Sequence, residues 1–285
     1  MPEGPEVETV RLELLQLISK KVDSIQLTPL SQKYPKYEGK QPFFNQFSRK
    51  TIHSIDRFGK FLVWRFTNVE AVILNHLGMT GRWCLYKDLK KLPTTTKHIK
   101  VIIHMKSPPN ALFNDIRNFG QFKVFQSFEE VQQYTPIRSL GVDGLTTPFP
   151  LNEFLTRLAK KNFKDKPIGE VLLNQRLVAG VGNIYKTESL FHAKINPLKK
   201  VKKLSNTERE ELGLAIGKIL QKALHDKGST MEFQPYELPS GTTGNAQKWH
   251  KVYKREGKPC LECGTPITRM IQKDRSTFYC LQCQK

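Results

Sequence analysis

Residues 60–77, KFLVWRFTNVEAVILNHL, decide the fold. They hold two short β-rich runs, KFLVWRF and AVILNHL, parted by a turn segment containing Asn68. AVIL at 71–74 is an apolar block of strand length, far short of the ~20 residues that cross a bilayer. The same texture extends in both directions, from about Val22 to Gln126: VDSIQLTP, TIHSID, RWCLY, HIKVIIHM, ALFND and FKVF, punctuated by Gly, Pro and Asn. Short strands at regular spacing with turn signals predict an antiparallel sandwich or barrel.

Before this region, Val7, Val10, Leu14, Leu17 and Ile18 fall mostly three and four apart, one face of a helix over Glu6–Lys20. Pro5 suits its first turn and the early carboxylates complement its dipole. After Pro136 the stretch GVDGLTTPFP reads as a linker, and helical texture follows: LNEFLTRLAKK, GEVLLNQRL, NIYKTESLFHA and NTEREELGLAIGKILQKALHDK. Ser205 with Glu208 predicts a capping box on the last of these. Gly228–Gln247 is polar and rich in Gly, Ser and Thr, a loop. The expected division is 1–135, a linker 136–150, a helical region with its loop 151–247, and a C-terminal module 248–285.

The chain has 285 residues, with 46 Lys and Arg against 26 Asp and Glu, a formal charge of +20. A surplus of this size repels itself unless a polyanion neutralises it, so nucleic acid is the first expected partner and an anionic membrane surface the second. The acidic start lacks the basic segment and apolar block of a signal peptide, which predicts an intracellular, reducing location, cytoplasmic or nucleoid/nuclear. Five cysteines there read as metal ligands before disulfides.

CLEC at 260–263 and CLQC at 280–283 offer four thiolates in two pairs, the spacing of one tetrahedral structural zinc. The alternative is two redox pairs. TPITRMI and STFYC between them read as a hairpin that metal binding would fold. Arg269, Lys273 and Arg275 cluster on it, either a fingertip for phosphates or a solvated charged turn. Cys84 lies in a strand pattern as an apolar residue. In LVAGVGNIYKTESLF at 177–191, the turn at Gly180, Gly182 and Asn183 would leave the amides opening the next helix free for an anion such as a phosphate; packing alone is the alternative.

PEGPEVET at the start, RFGKFLVW at 57–64, HLGMTG at 76–81, NDIRNFG at 114–120, LVAGVGNIYKTESLF and the ending DRSTFYCLQCQK together resemble the formamidopyrimidine-DNA glycosylase and endonuclease VIII family of base-excision repair enzymes, the ending being especially similar to the glycosylases of oxidised purines. The resemblance covers nearly the whole chain. It implies an α+β chain: an N-terminal antiparallel β-sandwich with a flanking helix, a helix–two-turn–helix domain and a C-terminal β-hairpin zinc finger, holding one structural Zn2+ on Cys260, Cys263, Cys280 and Cys283. The implied partner is double-stranded DNA with an oxidised base or an abasic site, bound by a monomer with no membrane association.

The resemblance also assigns roles. Pro2 becomes the nucleophile once Met1 is removed; from the residues alone, helix initiation would be the simpler reading of this proline. An α-amino group titrates near ~7.7–8.0, so a fair fraction is unprotonated at neutral pH. A secondary amine attacking C1′ goes directly to an iminium, an electron sink that links base excision to strand scission. Glu3 is the implied acid, Glu6 an electrostatic support, Lys60 the proton donor in β-elimination, and Arg275 the residue that holds phosphates and serves δ-elimination. Met79, Arg117 and Phe119 match the three residues that fill the gap left by a flipped base, whose loss of stacking costs a few kcal/mol. His98 and Asn183 match phosphate contacts.

Three features depart from the family pattern: Asn118 stands where a second arginine is frequent, Gly169 where a lysine is, and the 229–248 loop lacks the expected 8-oxoguanine-reading pattern. Lys164 and Lys166 lie near the position of that lysine, and neither is assigned. Oxidised purines are the leading substrate, with oxidised pyrimidines the alternative. Two rival readings are a non-catalytic nucleic-acid-binding module, which leaves Pro2, Glu3 and Lys60 unexplained as a set, and a metal-dependent nuclease, which lacks an evident carboxylate cluster.

Overall fold

The structure, a computed structural model, describes residues 2–29, 31, 34, 36, 41–88, 98–230 and 237–285. Two compact units emerge. One comprises Pro2, Glu6–Arg138 and Ser229–Asn245; the other comprises Glu3–Pro5, Ser139–Gly228 and Ala246–Lys285. Helix α1 (Gly4–Leu14) opens the chain and ends in a 3-10 turn, Leu15–Leu17, so the expected helix to Lys20 stops early. Ser19 beyond it adopts φ 64°, outside helical space.

The first unit is a sandwich of two antiparallel four-stranded sheets. Strands β1 (Val22–Leu27), β6 (Ile99–Met105), β7 (Asn110–Asn114) and β5 (Arg82–Tyr86) form one sheet in that order; β2 (Ile52–Phe58), β3 (Phe61–Phe66), β4 (Val69–His76) and β8 (Gln121–Phe125) form the other. The two sheets share an aromatic core. Trp64 on β3 meets Trp83 on β5 at 5.0 Å between ring centroids, and Trp83 meets Phe113 and Phe122 at 5.2 and 6.1 Å. The indole N–H of Trp83 donates to Asn75 Oδ1 at 2.9 Å, which satisfies the polar edge of this buried ring. Val7, Val10 and Leu14 of α1 join the same core. In β1 the buried residues are Val22, Ile25 and Leu27. The odd spacing follows from a bulge between Val22 and Ser24, which carries one residue out of register.

Short helices α2 (Gln41–Asn45), α3 (Phe128–Gln133) and α4 (Thr135–Arg138) complete this unit. None was visible as periodicity, although Ser127 capping Glu130 N follows the S-x-x-E pattern. Part of the 229–248 loop also belongs here: Glu6 Oε1 accepts from Ser229 N at 2.7 Å, and Leu85 N donates to Pro239 O at 3.2 Å. Residues 231–236 of this loop and Met1 lie outside the described residues.

In the second unit, the segment expected as a linker is tied down. Strand β9 (Val142–Asp143) pairs in parallel with β10 (Val178–Ala179), and Gly141 N donates to Gln175 O. Two-residue strands carry no periodicity, so composition alone suggested a loose segment. Helices α5 (Leu151–Leu158), α6 (Ile168–Val171), α7 (Asn183–His192) and α8 (Asn206–His225) follow. The capping box at Ser205 and Glu208 is present. GEVLLNQRL is helical only up to Val171 and continues as turns. The hairpin β11 (Thr268–Gln272) and β12 (Arg275–Tyr279) closes the chain, turning through Lys273 and Asp274, both at positive φ.

Candidate active site and metal centre

Glu3 is 2 % exposed, and its carboxylate is seated on the first turn of α7. Oε2 accepts from Gly182 N at 2.8 Å and Tyr185 N at 3.2 Å; Oε1 accepts from Ile184 N at 2.8 Å. The positive end of a helix and its free amides complement a carboxylate. Glycine is required beneath it, since a Cβ at Gly182 would lie 2.3 Å from Glu3 Cδ. Gly4 N donates to Gly180 O at 2.8 Å, laying the strip Glu3–Pro5 along the glycine turn. This corrects the expectation that the α7 amides stand open to a phosphate: the chain's own carboxylate takes them. The Asn183 side chain is likewise engaged, its Nδ2 donating to Ser276 O at 2.7 Å.

Further along α7, Lys186 is fully buried, and its ammonium donates to Thr277 Oγ1 at 2.6 Å. Glu188 accepts the N–H groups of Lys251, Val252 and Tyr253, fixing the approach to the cysteine module; burial pushes its carboxyl up against those donors. Arg275 opens β12 at the exposed end of the hairpin. Lys164 and Lys166 are exposed and lie before α6. At Gly169 a Cβ would meet Gln272 Oε1 at 2.4 Å and Pro197 O at 3.0 Å, a packing reason for glycine at this position.

In the sandwich unit, Pro2 is buried ahead of α1. Lys60 is buried in the β2–β3 turn, where Gly59 has φ 57° and its carbonyl accepts from Arg57 Nη1 at 2.9 Å. His76 shares this surroundings. Burial, then the charges of Lys60 and Lys36, lower it to about 4, so its ring is neutral, and Nδ1 accepts from Gly78 N at 3.1 Å.

Met79, Arg117 and Phe119 come from two loops clamped together. Buried Asp115 accepts from Thr80 Oγ1 and Gly120 N, each at 2.7 Å, and Thr80 Oγ1 accepts from Arg117 N at 3.0 Å. Gly78, at φ 67°, lies so close to Phe119 that a Cβ would come within 2.4 Å of its backbone carbon. The Arg117 guanidinium and the Lys36 ammonium both lie over the Phe119 ring, at 5.0 and 5.1 Å from its centroid. Phe119 and Ile116 remain 40 % and 54 % exposed, apolar tips held out by a rigid base. Asn118 adopts φ 58°, a conformation that asparagine tolerates better than arginine. The His98 carbonyl accepts from Asp115 N at 2.9 Å, placing this half-buried residue beside the same clamp.

Sequence reading had not singled out Lys186, Thr80, Asp115 or Lys36. A lysine inside the otherwise apolar face of NIYKTESLF was the available signal for the first. The others act through contacts distant in the chain and leave no local pattern.

The thiolate sulfurs of Cys260, Cys263, Cys280 and Cys283 lie within 4.8 Å of one another. Cys260 and Cys283 are 3.9 Å apart, Cys263 and Cys280 3.4 Å. A tetrahedron with metal–sulfur bonds of ~2.3 Å has edges of about 3.8 Å, so the set fits one metal ion. Cys84 stands alone on β5, its thiol pushed up by burial. Among the described residues, no helix is long and apolar enough to cross a membrane.

Three family models match in succession: the formamidopyrimidine-DNA glycosylase N-terminal domain over residues 1–122, the formamidopyrimidine-DNA glycosylase H2TH domain over 140–234, and the zinc finger found in FPG and IleRS over 257–285. The chain belongs to the formamidopyrimidine-DNA glycosylase family. Curated formamidopyrimidine-DNA glycosylases of Listeria innocua and Bacillus licheniformis are 36 % and 34 % identical, each covered over its full length along with all of this chain. Among solved structures, Lactococcus lactis Fpg with DNA containing an abasic site aligns with a TM-score of 0.86 at 32 % identity over 99 % of both chains. A mutant of that protein with DNA containing Fapy-dG aligns at 0.87 and 33 % over the full length of both. As a member of this family, the chain is a bifunctional DNA glycosylase and abasic-site lyase. The helix–two-turn–helix and zinc-finger labels apply to its second unit.

Proposed function

We propose that this glycosylase excises oxidised purines, 8-oxoguanine and formamidopyrimidines, from double-stranded DNA, acting as a monomer with one structural Zn2+ on its four cysteines. Pro2, freed by loss of Met1, attacks C1′ with its nitrogen lone pair; the glycosidic bond breaks and the base departs with a proton. The Pro2 N–H proton passes to the Glu3 carboxylate, which returns it to O4′ as the C1′–O4′ bond breaks; the sugar opens and the iminium is left. The resulting iminium draws electrons from the C2′–H bond, water takes the C2′ proton, the C3′–O bond breaks, and Lys60 donates a proton to the departing 3′ phosphate. Arg275 holds the flanking phosphates and assists expulsion of the 5′ phosphate. Met79, Arg117 and Phe119 occupy the gap in the duplex, and His98 contacts phosphate.

The observation that carries this reading is the seating of Glu3. Three amides fix a carboxylate at the residue joined to Pro2, which a plain helix-starting acid would not need. Borohydride trapping on a duplex with 8-oxoguanine tests it. A covalent adduct through Pro2, located by mass spectrometry, is expected; retention of Met1 on the active protein, or turnover with the imino nitrogen blocked, refutes it. A second substrate class has one observation in its favour: a Lactococcus lactis Fpg structure holds DNA containing an oxidised pyrimidine. Excision rates on duplexes with single lesions of either type decide between them.

A further inference from the structure

Lys186 is a costly residue for its place. An ammonium with no exposed surface and, among the described residues, a single hydrogen-bond acceptor forfeits hydration that an apolar side chain would not need. It stands in the same electrostatic neighbourhood as Glu3, Arg275 and Glu170. Burial lowers it to about 8, with the Glu3 and Glu170 charges opposing that shift and Arg275 adding to it.

Its bond lands where the hairpin needs holding. Thr277 and Ser276 directly follow Arg275 on β12. Asn183 and Lys186, three apart and so on one face of α7, reach Ser276 O and Thr277 Oγ1 respectively. On the strand before the turn, Gln272 Nε2 donates to Pro197 O at 3.1 Å, and Lys273 lies 3.9 Å from Glu170. The turn that presents Arg275 is therefore tied down on both sides, and the Lys186 tie is the buried, charged one. Charge-assisted bonds to a hydroxyl are short and directional, which suits the fixing of a neighbouring side chain.

We propose that Lys186 is a positioning residue of this enzyme: through Thr277 it latches the hairpin onto α7 and so fixes Arg275 for phosphate contact and the second elimination. The inference rests on the role of Arg275 proposed above. Glu3 keeps its three amide donors without Lys186, so base excision changes far less than the second elimination.

The test uses the full chain carrying Lys186→Met, Thr277→Val, Thr277→Ser or both Lys186→Met and Thr277→Val, with Arg275→Ala as reference. Substrates are an abasic-site duplex, read as single- against double-elimination product, and an 8-oxoguanine duplex, read as kcat and KM. Lys186→Met and Thr277→Val are each expected to shift products toward single elimination by about tenfold and to raise KM severalfold, with kcat for base excision within threefold. The double variant does no worse than the more affected single one, because both remove one bond. Thr277→Ser keeps the hydroxyl and restores the wild-type product ratio. The melting temperature of Lys186→Met stays level or rises, because a buried charge has gone.

An unchanged product ratio in Lys186→Met overturns the inference, as does a loss of all activities in step with a lower melting temperature, the mark of a merely structural residue. An effect of Lys186→Met without one of Arg275→Ala also overturns it. Failure of borohydride trapping instead overturns the proposed chemistry and leaves the product ratios to be read on their own.

Discussion

At the scale of single residues, the molecule repeats one device: a buried carboxylate collecting backbone N–H groups from a distant segment. Glu3 does this on α7 and Glu188 on residues 251–253; Asp115 is the local variant, taking Gly120 N five residues on and the Thr80 hydroxyl from the distant loop. Such bonds fix position more than they add net stability, which for one typical bond is only ~1 kcal/mol. Gly182 isolates the consequence. Alanine there would place its methyl group inside van der Waals distance of the Glu3 carboxyl, so the carboxylate must leave its seat. Gly182→Ala is expected to slow single-turnover base excision about a hundredfold, the scale of a misplaced general acid. Loss of a helix cap removes about 1–2 kcal/mol, readable in thermal unfolding. Binding to an abasic-site duplex should stay within a few-fold; excision at the wild-type rate would mean that the seat is not part of the chemistry.

At the scale of elements, the two clamped loops and the cysteine hairpin are the working parts. The loops of Met79 and of Arg117 and Phe119 share the Asp115–Thr80 clamp, which makes them one rigid tip. Arg117→Ala should weaken binding to lesion duplex about tenfold while changing binding to undamaged duplex less than threefold, because only the former has a gap to fill; equal losses in a titration would remove the plug role. Stripping the metal from the cysteine set should release the hairpin that carries Arg275 and abolish incision. The tryptophan pair Trp64–Trp83, in the other unit, should keep its near-ultraviolet circular dichroism. Metal analysis should give about one ion per chain, and readdition should restore cutting.

These elements differ in how far the sequence revealed them. Strand β5 runs over the predicted residues 82–86, the cysteine pairs converge, and Ser205 caps α8, since each signal is local and strong. The β9–β10 pair, the bulge in β1 and the tying of Ser229 and Pro239 to the sandwich were illegible, because each is decided by a partner far along the chain. The seat of Glu3 was misread for the same reason. Its donors lie about 180 residues away, and nothing near Gly182 signals that its amides are already taken.

At the scale of the whole molecule, the charge of +20 suits a polyanionic partner but burdens the free protein, which must be held together against its own field. Two histidines add a second burden at low pH. His76 and His250 are both lowered to about 4, the first by burial and then by Lys60 and Lys36, the second by burial. Between about 4 and the ordinary value near ~6.5, the unfolded chain binds protons at both rings and the folded chain does not. Stability therefore rises with pH across that window, and acidification from 6.5 toward 4 removes it. The scale is on the order of 2 kcal/mol per histidine once residual solvent access is allowed for. Glu188 works the other way, because a carboxyl raised by burial binds its proton more readily folded than unfolded. One opposing carboxyl does not outweigh two histidines whose window opens at higher pH. Denaturant titrations at pH 7, 6, 5 and 4.5 should give a falling unfolding free energy with an unchanged denaturant slope. His76→Gln, which keeps an acceptor for the Gly78 N–H but cannot titrate in this range, should flatten the fall by about half; an undiminished slope in that variant would place the acid sensitivity elsewhere in the molecule.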